Sequence, residues 1–298
     1  MKKFLMTTLM LCFLPFFAWA QNSAINTDPP ADKTKPAIMD AFALPSHGSQ
    51  INVIAYVASG AGPHPVVVLL HGFPGNERNL DVAQAIRRAG YTVLVSSYRG
   101  AWGSQGAFSF AHSLEDSQAA VDYLRVPANA RRLRVDPDKI VLMGHSMGGW
   151  MALATGAADA KVRAVITISA AEMPGFAAAS AGEYGAAKAL KLCVPVMNDG
   201  SFAALAGDTP EAACKELIEN AAHWIFSNDV KGLATRPVFL ITSDDGFAPA
   251  ATALAQALRA AGNQQVHEAH LATDHSYSDK RIALTQIVLD DLDALKLQ

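Results

Sequence analysis

The stretch Lys139-Ile-Val-Leu-Met-Gly-His-Ser-Met-Gly-Gly149 decides how the rest of the chain is read. The apolar residues Ile140 to Met143 fit a buried parallel strand, and Trp150-Met-Ala-Leu-Ala-Thr155 is rich in helix formers. Between them lies Gly144-His145-Ser146-Met147-Gly148, with glycines two places either side of a serine. A serine on a sharp strand-to-helix turn must adopt a strained backbone, and small residues at those two places relieve the crowding. Ser146 is therefore the candidate nucleophile. A helix N-terminus directly behind it would leave the Met147 N–H free to bind a developing oxyanion.

Working outward, the apolar run Pro65-Val-Val-Val-Leu-Leu70 predicts a strand covered on both faces, ending in the turn His71-Gly72-Phe73-Pro74-Gly75. The Phe73 N–H is the candidate second oxyanion donor. Ala41–Leu44 and Ile51–Val57, separated by Ser46-His-Gly-Ser49, predict an opening antiparallel hairpin. A helix is expected over Leu80–Ala89, a strand over Tyr91–Ser97 and a helix over Ser113–Leu124 with Ser113 near its cap. Further strands are expected at Val162–Ser169, Pro237–Thr242 and Gln265–Leu271, the last at a sheet edge. Helices are expected from Pro249 to Ala261 and from Lys280 onward. This alternation predicts a doubly wound α/β sheet, mostly parallel. From about 171 to 235 the rhythm breaks into Ala- and Gly-rich helical fragments, which predicts a mobile helical lid inserted between core strands.

The chain has 298 residues, 51% of them hydrophobic and 17% charged, enough for one domain with a large core. A net charge of -3 without a basic cluster gives no footprint for nucleic acid. No His/Cys/Asp group has metal-ligand spacing, so neither a metal nor another cofactor is expected. Met1-Lys-Lys, an apolar run to Phe17, and Ala18-Trp19-Ala20 form a cleavable signal peptide over residues 1–20, which predicts a periplasmic or secreted protein without a stable membrane anchor. Residues 21–36 are expected to be a disordered lead-in to a domain over 37–298. In an oxidising compartment Cys193 and Cys214, both in the insertion, are candidates for a disulfide.

Ser146, Asp245 and His275 follow three separate strands in the chain order Ser, Asp, His. With His71-Gly-Phe-Pro-Gly75, the Gly144–Gly148 elbow, Asp245 four residues before Pro249, and Asp274-His275 before the last helix, the sequence resembles the α/β-hydrolase superfamily over most of its length. Tyr98-Arg-Gly100, Trp102-Gly-Ser-Gln-Gly106 and Val135-Asp-Pro-Asp138 look like prolyl oligopeptidase-type peptidases and dienelactone hydrolase-like esterases. It departs from both: dienelactone hydrolases proper carry a cysteine where Ser146 stands, and no propeller fits before residue 50.

The resemblance implies an α/β-hydrolase fold, with His275 as general base and Asp245 orienting it. Asp244 and Glu172 remain alternatives for the acid. His71, His145, His267 and His270 are weaker candidates for the base. Arg99 and Trp102 are candidates to bind substrate, Arg99 through a carboxylate, although tying loops together is the blander role for Arg99. The expected function is an exported serine hydrolase of small-molecule esters, acting through an acyl-enzyme. A small peptidase or amidase acting on short peptides is the first rival, and a non-catalytic binding module the second.

Overall fold

The structure is a computed structural model that describes residues 23–198 and 201–298. The expected signal peptide over residues 1–20 lies outside the described residues.

Strands β1 (Ile38–Ser46) and β2 (Ser49–Val57) form the opening hairpin. Its two-residue turn, His47-Gly48, has both φ angles positive, at 45° and 79°. That is the twist-compatible turn a tight hairpin needs. Next come β3 (His64–Leu70), β4 (Thr92–Ser96), β5 (Val135–His145), β6 (Ala164–Ile168), β7 (Val238–Ser243) and β8 (Val266–Leu271). They join one eight-stranded sheet in the order β1-β2-β4-β3-β5-β6-β7-β8, antiparallel across β1-β2-β4 and parallel from β4 to β8. β8 is the edge strand that its partial alternation predicts.

The inner parallel strands β3, β4, β6 and β7 are mostly apolar and buried because helices cover both faces, whereas the edge strand β8 is not. In β3, Val66, Val68 and Leu70 face one core, and Val67 and Leu69 the other. The first core is packed by helices α2 (Phe110–Arg125), α3 (Pro127–Leu133), α4 (Met147–Ala158) and, further along, α9 (Ala248–Ala260). The second is closed by α1 (Leu80–Arg88) and α10 (Arg281–Ala294). α2 starts earlier than expected. Its N-cap is Ser109, whose side chain accepts the His112 N–H at 3.0 Å, whereas Ser113 sits inside the helix and bonds back to the Ser109 carbonyl.

The insertion between β6 and β7 contains α5 (Met173–Tyr184), α6 (Ala186–Met197), α7 (Pro210–Trp224) and the single turn α8 (Val230–Leu233). Its second half is fastened to the core. The Phe108 N–H donates to Ala206 O and the Ala206 N–H to Gly100 O, while Glu216 of α7 accepts the Phe110 and Ala111 N–H groups at 2.9 and 3.0 Å. Glu216 thus satisfies orphan donors at the start of α2 from outside that helix. A disulfide joins Cys193 of α6 to Cys214 of α7.

Within the lead-in expected to be disordered, described residues from Ala24 to Pro36 receive hydrogen bonds from distant arginines. Arg88 donates to the carbonyls of Ala24 and Ile25, and Ala24 is buried in the second core. Arg134 holds the carbonyls of Lys35 and Pro36. Composition alone hides this, because the partners are arginines from distant elements bonding to backbone.

Candidate active site

Ser146 sits at the junction of β5 and α4 with φ 58° and ψ −123°, a conformation a non-glycine residue rarely adopts. The turn is possible because two backbones touch beside it. A Cβ on Gly144 would overlap the Gly148 carbonyl, and one on Gly148 would overlap that of Leu70. The serine is fixed by its own backbone: its N–H donates to Ile168 O at 2.9 Å, and its carbonyl accepts the Gly149 and Ala171 N–H groups.

Asp245 follows β7 and His275 follows β8. His275 Nδ1 lies 2.7 Å from Asp245 Oδ2, and the other carboxylate oxygen accepts the Phe247 N–H at 2.9 Å. Burial on its own raises the Asp245 pKa. The hydrogen bonds from His275, the Ser169 and Ser243 hydroxyls and the Phe247 amide outweigh it and hold the carboxyl below its ordinary value. Behind it the Ser169 hydroxyl is 2.9 Å from both Ser243 Oγ and Tyr277 Oη, a buried hydroxyl relay. Sequence reasoning misses Ser169, Ser243 and Tyr277. The available signal is position, since Ser169 and Ser243 end or directly follow the strands flanking the site.

The alternative acids lie elsewhere. Asp244 is exposed, 3.1 Å from His270 Nε2, and Glu172 accepts the Phe226 N–H at 2.6 Å. Of the alternative bases, His267 stacks on Phe239 at 4.8 Å. His145 and His71 are held neutral by burial, each with its pKa pushed down to about 4. Both serve as clamps. His145 Nε2 is 2.9 Å from the His275 carbonyl, and since a carbonyl only accepts, the proton is on Nε2. The neighbour of the serine thereby grips the backbone of His275. Among the described residues Ser146 Oγ makes no hydrogen bond to His275.

His71 Nδ1 donates to Gly72 O at 2.7 Å, and the Tyr98 hydroxyl donates to His71 O at 2.9 Å. Trp102, partly exposed, donates its Nε1–H to Pro74 O at 2.7 Å. The turn carrying Phe73 is therefore held from both sides. A Cβ on Gly72 would come within 2.8 Å of Ser146 Cβ, which puts this turn directly against the serine. Among the described residues neither the Phe73 nor the Met147 N–H has an acceptor. The Phe73 ring packs against Phe108, Phe110 and, from the insertion, Phe202.

The substrate-binding expectation for Arg99 needs correction. It is buried, with its backbone N–H and Nε each 2.7 Å from Asp116, Nη2 on the His112 carbonyl at 3.0 Å and a further ion pair to Glu115. It ties the Gly-rich loop to α2, because a buried guanidinium needs all its donors matched. Among the described residues no group of three or more His, Cys, Asp or Glu side chains is arranged to hold a metal ion.

Comparison with known proteins agrees with this architecture. Over 110 residues the chain is 37% identical to the quorum-quenching protein AidA of Acinetobacter baumannii, covering 35% of this chain and 34% of that protein. Over 119 residues it is 31% identical to the uncharacterized protein YfhR of Escherichia coli O157:H7, covering 37% and 40%. The chain thus spans well under half the length of these curated relatives. Est1E from Butyrivibrio proteoclasticus superposes with a TM-score of 0.63 at 18% identity, over 87% of this chain and 99% of that one. The Pyrococcus horikoshii acylaminoacyl peptidase does so with a TM-score of 0.60 at 17% identity, over 88% and 42%. At such identities these two likenesses speak for the fold alone. The model of the alpha/beta hydrolase family matches residues 67–281, and the chain belongs to that family.

Proposed function

We propose that the protein is an exported serine hydrolase that cleaves carboxylic esters through an acyl-enzyme. The observation that carries this is the His275–Asp245 pair, closed at 2.7 Å and gripped by His145, the neighbour of the strained Ser146. Names among the similar proteins, several of them esterases and one a quorum-quenching protein, are compatible with it.

A serine hydroxyl is a weak nucleophile at neutral pH, so His275 Nε2 takes its proton as Oγ attacks the ester carbon. Asp245 holds Nδ1–H and stabilises the imidazolium that forms. The Phe73 and Met147 amides bind the oxyanion, each donor contributing roughly 10²–10³ in rate. Collapse of the tetrahedral intermediate breaks the bond to the alcohol oxygen, which leaves with the proton from His275. Water then enters by the same route and releases the acid. The Cys193–Cys214 disulfide and the leader pattern of residues 1–20 support export.

The test is labelling with an ethyl fluorophosphonate alongside turnover of p-nitrophenyl acetate and a peptide p-nitroanilide. Wild type is expected to label and to prefer the ester, and Ser146→Ala to lose both labelling and turnover while staying folded. Undiminished turnover by Ser146→Ala would remove the serine from the mechanism, and preference for the anilide would move the assignment to a peptidase.

A further inference from the structure

One groove, formed largely by the insertion and bordered by Phe247, is almost wholly apolar. It has a volume of about 560 Å³, within the range of about 300–1,000 Å³ for small-ligand sites. α5 contributes Met173 and Phe176, and α6 contributes Leu192 and Val196 at helical i, i+4 spacing. Leu217 and Ile218 of α7 add to the lining.

Its remaining wall connects it to the chemistry. Phe247, two residues after Asp245, lines the groove, and its ring stands edge-on to His275 at 5.2 Å. Glu172, also in the wall, directly follows Ala171, whose N–H donates to the Ser146 carbonyl at 3.0 Å. Phe176 and Val196 are 76% and 73% exposed, an unusual way to leave large side chains on neighbouring helices.

The polar inventory says what fits. Among the described residues of the lining, Glu172 and Ser180 alone carry polar side chains, and the Glu172 Oε1 is already taken by the Phe226 N–H. A peptide or sugar laid here would leave its own donors and acceptors unpaired, at a cost a hydrocarbon does not incur. We infer that the groove between α5, α6 and α7 binds a linear hydrocarbon chain of the ester substrate, so the preferred substrates are esters with an extended apolar chain. This rests on the hydrolase reading above and narrows it to one substrate class.

The experiment measures kcat/KM for two ester series, one lengthening the acyl chain from acetate to decanoate, the other lengthening the alcohol. In at least one series the value is expected to rise roughly threefold per methylene until the groove is filled. Leu192→Asp and Val196→Asp, both at exposed positions, are expected to flatten that rise at least tenfold across the series, with folding checked by circular dichroism. Ile282→Asp, an equally exposed change on α10, leaves the profile as in wild type. Flat profiles in both series, with short esters turned over and Ser146 labelled, would overturn the groove assignment and leave the hydrolase reading standing. Absence of labelling and of all turnover would instead sink the hydrolase reading. Calorimetry of methyl octanoate against methyl butanoate on the Ser146→Ala protein then decides the groove by itself. Tighter binding of the longer ester, lost in Leu192→Asp, supports it, and equal or no binding overturns it. A dimer that Leu192→Asp dissociates, with no chain-length preference, also overturns it in favour of self-association.

Discussion

The His275 imidazole and the Asp245 carboxylate are joined at 2.7 Å, whereas Asp244, one residue earlier, turns outward to His270. Two adjacent aspartates therefore have separable roles. Asp245→Asn is expected to lower kcat about 10⁴-fold by presenting the wrong tautomer of His275. Asp244→Asn is expected to stay within a factor of two of wild type. Steady-state kinetics on a p-nitrophenyl ester separates the two, and equal losses would contradict the assignment.

The elbow glycines act through backbone contact. In Gly148→Ala the new methyl meets the Leu70 carbonyl, so a loss of about 3 kcal/mol or more, or failure to fold, is expected. Gly182, in the last turn of α5 with nothing within 4 Å of the place a methyl would take, gives the opposite sign: Gly182→Ala stabilises by about 0.5 kcal/mol. Urea unfolding of both variants checks the pair.

Arg99 and Asp116 are both buried, and removing the Arg99 side chain leaves the Asp116 carboxylate without its cation, held by the Ser46 hydroxyl and a backbone N–H. Arg99→Ala is expected to cost about 3–5 kcal/mol of stability. KM for short esters measured on the remaining folded protein is expected to be unchanged. A raised KM without loss of stability would restore Arg99 as a substrate ligand.

Asp229, at the start of α8 in the insertion, has its pKa pushed up to about 7 by burial, with the Glu172 charge adding to the effect. The native state then keeps a proton that the unfolded chain releases near pH 4. Stability is therefore highest below about pH 4 as far as this group is concerned, falls as pH rises through the interval up to 7, and is level above it. Asp229→Asn is expected to remove that decline, as seen by comparing urea midpoints of variant and wild type at pH 5 and pH 8.

The disulfide closes a loop with a sequence separation of 21 residues within the insertion. Chain-entropy arguments assign such a loop about 3 kcal/mol. Cys193→Ser/Cys214→Ser is expected to lower the thermal midpoint, and added dithiothreitol to lower that of wild type but not of the double variant.

Local pattern carried most of the fold. Apolar runs such as Val66–Leu70 and the spacing around Ser146 express constraints confined to a few consecutive residues, so the chain displays them directly. What stayed hidden depends on partners far apart in sequence. Ser169 meets Tyr277 across 108 positions, Arg88 reaches Ala24 across 64, and Glu216 caps a helix 106 residues away. The role of Arg99 is ambiguous in sequence for the same reason, since only the packed structure shows that Asp116 and Glu115 have already claimed its donors.

The unequal anchoring of the insertion has an engineering consequence. Residues 204–206 and Glu216 are interwoven with the core, but the α5–α6 hairpin rests on α7 and is stitched there through Cys193. A transplant that swaps the hairpin between Glu172 and Met197, with a cysteine retained to meet Cys214, should exchange one preference for another while the reacting centre stays as it is. In this chain the choice of ester would then reside in two short helices that can be exchanged as a unit.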